Sequence, residues 1–181
     1  ASVILFVGGL APHKNLSGFL DGFEKSLGHA CMRHVHVALI GDLKGAGFLS
    51  NYNGLSAKVK ANPLLAERVH FSGYVSDEDL VALYSSAFAV TMPSYSEGFG
   101  LPAIEAMACG APVLASDRGS LPEVIGDAGI YFDPFDIESI SKAIIEMAEN
   151  RSLRLQLSCN ALTRAKNFTW QYAAQVTLTY L

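Results

Sequence analysis

The sequence predicts an α/β domain built on a doubly wound, six-stranded parallel sheet, and three observations carry that expectation. Apolar runs of strand length alternate with amphipathic segments of helix length along the whole chain. Residues 3–7 are apolar throughout, and 87–92 is interrupted only by the valine-like Thr91, which is the pattern of strands covered on both faces. Glycine, proline or aspartate closes each run, and right-handed crossovers between parallel strands then favour a doubly wound order.

The elements follow in order. Residues 3–7 read as a central strand, and 8–15 as its exit loop, with Asn15 placed to cap the next helix. Leu16, Phe19, Leu20, Phe23 and Leu27 form that helix's apolar stripe. A second strand spans 35–40 and closes at Gly41-Asp42. Residues 42–56 are polar and glycine-containing, a loop entering a short helix over 55–61. Residues 69–75 are a third strand and its exit. Ser76 with Asp79 is a capping box ahead of Leu80, Leu83 and Tyr84. The fourth strand ends at Pro93, and a helix begins near Pro102, where the missing N–H costs nothing. Residues 111–116 form a fifth strand, 119–123 open a short helix, and 129–132 form a sixth strand. Helices over 137–148 and 153–165 follow, and Thr169 caps a last helix over 170–181. In such a sheet ligands bind at the carboxyl ends of the strands, so the loops 8–15, 41–44, 73–76 and 94–101 share one edge.

Composition narrows the function. Half of the 181 residues are hydrophobic and 17% are charged, as expected of one packed domain. The net charge of −4 and the absence of a Lys/Arg cluster argue against nucleic acid as a partner. Cys31, Cys109 and Cys159 are scattered and odd in number, which reads as buried, reduced thiols in a cytosolic protein. No apolar run approaches membrane-spanning length, and no secretory signal is visible. The chain opens inside a strand-like run, as a piece cut from a longer protein at a domain border would.

The stretch from Pro93 to Ala106 carries the chemistry. Gly98 and Gly100 let backbone amides approach a ligand closely, and the following helix N-terminus is a ready anion site. Glu97 and Glu105 flank it as acceptors for hydroxyls, so the expected ligand is phosphorylated and hydroxyl-rich, such as a nucleotide-sugar. The same stretch also reads as an ordinary strand–loop–helix corner with acids complementing the helix dipole. A third reading is the loose dinucleotide fingerprint Gly98-x-Gly100-x-x-Ala103 with Asp117, which would mark an NAD(P)- or flavin-binding oxidoreductase. Against it, Pro93 to Glu97 separates these glycines from their strand. Lys14, in the first strand–helix loop, faces the central loop across the ligand edge, either to neutralise a diphosphate or as a solvated lysine. His34 and His36 lie on one strand face without a third metal ligand nearby, so packing or surface roles are favoured over a metal.

Glu97-Gly98-Phe99-Gly100-Leu101-Pro102-Ala103-Ile104-Glu105 and its continuation to Val113 resemble the Glu-x7-Glu signature of retaining glycosyltransferases. More narrowly, the chain resembles the "group one" GT-B family of sucrose- and glycogen-synthase-like and mannosyltransferase-like enzymes. The segments 7–15, 71–75, 121–124 and 168–170 are similar to other stretches of that family. The resemblance implies a Rossmann-like C-terminal, donor-binding lobe over 1–181, with the N-terminal acceptor lobe outside this chain. It implies metal-independent hexosyl transfer from a GDP-, UDP- or dTDP-sugar, with no cofactor, in polysaccharide or glycan synthesis. Glu97 and Lys14 would be the catalytic pair, with Glu97 on the sugar hydroxyls and Lys14 on the diphosphate. Glu105 would hold the ribose, the amides of Gly98, Phe99, Gly100 and Leu101 the diphosphate or sugar, and Tyr74 and Val75 would lie beside the base. Where many members carry an arginine before the lysine, this chain has Gly9 and His13; His13 or Arg118 is then the candidate second cation. A non-catalytic or epimerase lobe of the same architecture is the remaining alternative. The implied partners are a nucleotide-sugar and a glycan or lipid-linked acceptor, and the implied setting is cytoplasmic, with a peripheral place at the inner membrane face left open.

Overall fold

The computed structural model describes residues 2–42 and 50–179. Six strands form one sheet: β1 (Ser2–Val7), β2 (Val35–Ile40), β3 (Val69–Gly73), β4 (Ala89–Met92), β5 (Val113–Ser116) and β6 (Gly129–Phe132). Their order is β3-β2-β1-β4-β5-β6, and every neighbouring pair is parallel. This is the doubly wound order, and its reversal point falls between β1 and β4. The expected fold class is therefore present.

Alternate residues of each strand feed opposite layers. Ile4 and Phe6 of β1 with Val35, Val37 and Leu39 of β2 pack against α1 (Leu16–Ser26), α2 (Tyr52–Ala61), α3 (Pro63–Arg68) and α7 (Ile137–Glu149). Leu5, Ile40 and Val90 face the other side, against α4 (Asp77–Ser86) and α5 (Leu101–Ala108). Met92, Val113 and Ala115 continue that second layer under α5, α6 (Leu121–Ile125) and α8 (Arg151–Ala165). Phe19 and Phe23 of the predicted α1 stripe are fully buried, each stabilising the fold by about 1.5–3 kcal/mol. The final helix, α9 (Trp170–Leu178), buries no residue, and Trp170 is exposed.

Several local expectations are met. The Ser76 hydroxyl accepts the Asp79 amide at 3.1 Å, and Thr169 Oγ1 accepts the Tyr172 amide at 3.1 Å. Others are corrected. Asn15 occupies the cap position of α1 but its side chain does not cap; it sits in the left-handed region (φ 52°) and donates from Nδ2 to the Pro134 carbonyl at 2.8 Å. The helix α3 was not expected. Asn62-Pro63 starts it, with Asn62 Oδ1 accepting the Leu64 amide at 3.0 Å. α2 begins three residues before the expected 55, and β4 and β5 begin two residues after the expected 87 and 111. The cysteines are not core thiols: Cys31 and Cys109 are half-buried and Cys159 is exposed. Lys44 of the second loop, and Tyr180 and Leu181 of the last expected helix, lie outside the described residues.

Candidate functional site

The parallel strands end on one edge, and the loops after β1, β4, β5 and β6 interlock there. The Tyr95 amide donates to the His13 carbonyl at 2.9 Å, tying the β4 loop to the single 3-10 turn Pro12–Lys14 after β1. The Ser116 hydroxyl at the end of β5 donates to the Ser94 carbonyl at 2.6 Å. The Ser120 hydroxyl, which begins α6, donates to the Glu97 carbonyl at 3.1 Å. Gly119 allows this approach: its φ is +62°, and an added Cβ would lie 2.9 Å from the Glu97 carbonyl oxygen.

At the centre of this mesh Lys14 Nζ lies 2.7 Å from Glu97 Oε2 and 2.9 Å from Oε1. Both side chains are mostly buried, 19% and 14% exposed, so the charges attract more strongly than a surface pair. Buried Ser94 adds a hydroxyl bond to Glu97 Oε2 at 3.0 Å. The carboxylate is thus oriented by a lysine from one side of the sheet's reversal point and by a serine from its own loop.

Beyond Glu97, buried Gly100 adopts φ +88° and forms the N-terminal boundary of α5, with Pro102 in the first turn. The Ala103 amide bonds the Gly100 carbonyl at 2.9 Å. Glu105 stands one turn on, exposed, with Oε2 accepting the buried Tyr84 hydroxyl of α4 at 3.1 Å. Burial first, and the Glu105 carboxylate second, hold the Tyr84 phenol well above its usual range, so it remains a donor.

The structure therefore joins Lys14 to Glu97 directly and sets Gly98, Phe99, Gly100, Leu101 and Glu105 along the entry to α5. The Phe99 ring instead meets Phe168 edge-on at 6.1 Å. Tyr74 and Val75 leave β3 at the same edge, Tyr74 81% exposed and Val75 packed on the second layer. Gly9 and His13 are exposed in the first loop, with His13 engaged through its carbonyl. Arg118 is held by Asp117 Oδ1 at 3.0 Å and Asp133 Oδ1 at 3.2 Å, so it is not a loose cation. Sequence reasoning missed Ser94, Ser116, Ser120 and Tyr84. Ser94, three residues before Glu97, was the only one with a local signal.

His36 meets His70 of β3, not His34, with Nδ1···Nε2 at 3.1 Å and the rings stacked. Among the described residues no group of three or more His, Cys, Asp or Glu is disposed to hold a metal ion. Among them, too, no helix is long and apolar enough to cross a membrane.

Comparison with known proteins agrees with this architecture. The chain is 37% identical over 180 residues to O-antigen chain mannosyltransferase B of Escherichia coli, covering 96% of this chain and 44% of that protein. It is 34% identical over 176 residues to mannosylfructose-phosphate synthase of Agrobacterium fabrum, covering 96% and 38%. The chain thus spans under half the length of these relatives. Sucrose-phosphate synthase from Thermosynechococcus elongatus superposes with a TM-score of 0.83 at 28% identity, over 99% of this chain and 44% of that one. The Anabaena protein Alr3699/HepE, solved in complex with UDP, superposes with a TM-score of 0.81 at 26% identity, over 99% and 49%. The family described as glycosyl transferases group 1 matches residues 1–164, placing the Lys14–Glu97 pair and the α5 entry inside the matched region, and the chain belongs to that family.

Proposed function

We propose that this domain holds the nucleoside diphosphate sugar donor of a retaining hexosyl transfer, completed by an N-terminal acceptor lobe outside the chain. The observation that carries this reading is the Lys14–Glu97 pair at the reversal point of the sheet, beside the amide-presenting entry of α5. Open α/β sheets bind ligands at that point. The hard event is departure of the nucleoside diphosphate, with negative charge growing on its leaving oxygen. Preorganised amides of Gly98 to Leu101 and the Lys14 ammonium stabilise that charge without calling on a metal or a cofactor. To reach the diphosphate, Lys14 exchanges Glu97 for phosphate oxygens. Glu97, still bonded by Ser94, is then free to accept hydroxyls of the sugar. Glu105, backed by Tyr84, takes the ribose hydroxyls, and the exposed Tyr74 ring with Val75 borders the base.

The names of the relatives favour mannose as the sugar, and the UDP-bound structure favours a nucleotide ligand. The proposed acceptor is a glycan or a lipid-linked glycan, used at the inner face of the membrane; the O-antigen chain named for one relative supports the glycan part. The oxidoreductase alternative has lost its support. The glycines follow the fourth strand, not the first, and the matched family is one of transferases.

The test is calorimetric titration of the chain with UDP, GDP, dTDP and NAD, beside Lys14→Ala and Glu105→Ala. One diphosphate is expected to bind in preference, and both substitutions to weaken it by at least tenfold, which is about 1.4 kcal/mol. Binding of NAD alone overturns the reading. The stereochemical outcome is read by NMR of the product anomer made by the full-length enzyme.

A further inference from the structure

We propose that Tyr95, Phe135 and Arg118, with Asp117 and Asp133, form a subsite for a neutral saccharide, through which the acceptor glycan lies against this lobe. The proposal rests on the donor reading above. The Tyr95 and Phe135 rings stack nearly parallel, with centroids 4.7 Å apart and planes 17° apart. They come from different loops, after β4 and after β6, and each is fixed by its backbone. The Tyr95 amide is held by His13, the Phe135 amide donates to Asp133 Oδ1 at 3.0 Å, and the Pro134 carbonyl takes the buried Asn15 amide at 2.8 Å. Yet the rings are exposed, Phe135 by 70% and Tyr95 by 39%. A pair of aromatic side chains so firmly positioned and so little covered is a platform, not a core.

The polar rim identifies what it would take. Arg118 lies 5.9 Å from the Phe135 ring centroid and is fixed by one oxygen of Asp117 and one of Asp133. Asp117 and Asp133 both meet Arg118 through Oδ1, and their side chains are 45% and 42% exposed, so carboxylate surface faces outward from the rim. The Phe135 amide, with Arg118 behind it, holds the Asp133 carboxyl below its usual range, so it stays ionised. One guanidinium against two carboxylates leaves the rim negative, which repels phosphate and disfavours a nucleotide. An apolar protein surface would desolvate a paired charge triad that carries a net negative charge. A pyranose satisfies both parts: its C–H face stacks on the negative face of an aromatic ring, and its vicinal hydroxyls donate to the exposed carboxylates. Tyr95 is two residues from Glu97, so a chain lying on this platform passes beside the transferred sugar.

Saturation-transfer NMR on the 181-residue chain tests this, with irradiation of the aromatic protons and an α-linked mannose disaccharide or maltose as the probe. Transfer to one of the sugars is expected in the wild type and in Glu97→Ala. In Phe135→Ala and in Arg118→Ala it is expected to fall roughly fivefold or more, while affinity for the preferred nucleoside diphosphate stays within about twofold. Circular dichroism confirms that both variants fold, and Asp117→Asn serves as a second rim variant if either does not. Absence of transfer to both sugars, full transfer in Phe135→Ala and Arg118→Ala, or loss in Glu97→Ala alone overturns the proposal. Nucleotide binding measured on the same sample separates the two readings. Diphosphate binding without sugar binding removes the subsite and leaves the donor site standing.

Discussion

Lys14 and Glu97, 83 positions apart, share an ion pair that uses both carboxylate oxygens, at 2.7 and 2.9 Å. In the proposed donor site the carboxylate would compete with an incoming diphosphate for the same ammonium. Glu97→Gln removes that competition, and titration calorimetry is expected to show nucleoside diphosphate binding tightened by roughly three- to tenfold. Turnover by the full-length enzyme is expected to drop by about 100-fold or more. Lys14→Ala is expected to do the opposite to binding and to lower stability by about 1 kcal/mol, between the values of exposed and buried pairs.

Tyr84 sits in the core of α4 and reaches Glu105 with its hydroxyl. Tyr84→Phe keeps the ring and deletes one hydrogen bond, so urea unfolding is expected to show a loss of about 0.5–1.5 kcal/mol. Nucleotide affinity is expected to weaken roughly threefold, because Glu105 loses the donor that aims it. Unchanged affinity with reduced stability would mark the bond as structural alone.

Gly119 passes against the Glu97 backbone at φ +62°, with the Glu97 nitrogen 3.1 Å from where a Cβ would stand. Gly119→Ala is expected to cost about 1–3 kcal/mol in strain and to displace Glu97, so stability and diphosphate binding should change together.

Asn15 is 4% exposed and holds the first loop to the β6 loop through the Pro134 carbonyl. Asn15→Gly keeps the left-handed backbone and loses the bond, with an expected cost of about 1–3 kcal/mol for the unpaired carbonyl. Asn15→Ala adds backbone strain, so its melting temperature is expected to fall below that of the glycine variant.

His36 faces His70 across the β2–β3 ladder, with Arg68 and His34 also near, and its imidazole is held below the ordinary 6.5 by burial first and by the Arg68 guanidinium second. The unfolded chain then binds the proton more readily than the folded one, so stability falls as pH drops from about 6.5. The urea midpoint at pH 5.5 is expected to lie below that at pH 7.5, and His36→Gln to flatten the difference.

Strand–helix alternation, the apolar central strand β1, the caps at Ser76 and Thr169 and the loops at the ligand edge were legible from the sequence, because each depends on residues within one turn or one strand. Lys14, Glu97 and Glu105 were legible as candidates because loop glycines and a helix start mark their place locally. The tertiary structure alone decided that Lys14 pairs with Glu97, that Tyr84 backs Glu105, that Asn15 abandons its cap for Pro134, and that Tyr95 stacks on Phe135. Each of these joins segments from different strands. Local propensity and spacing carry no distance information between such segments, and only the order of strands in the sheet brings them together.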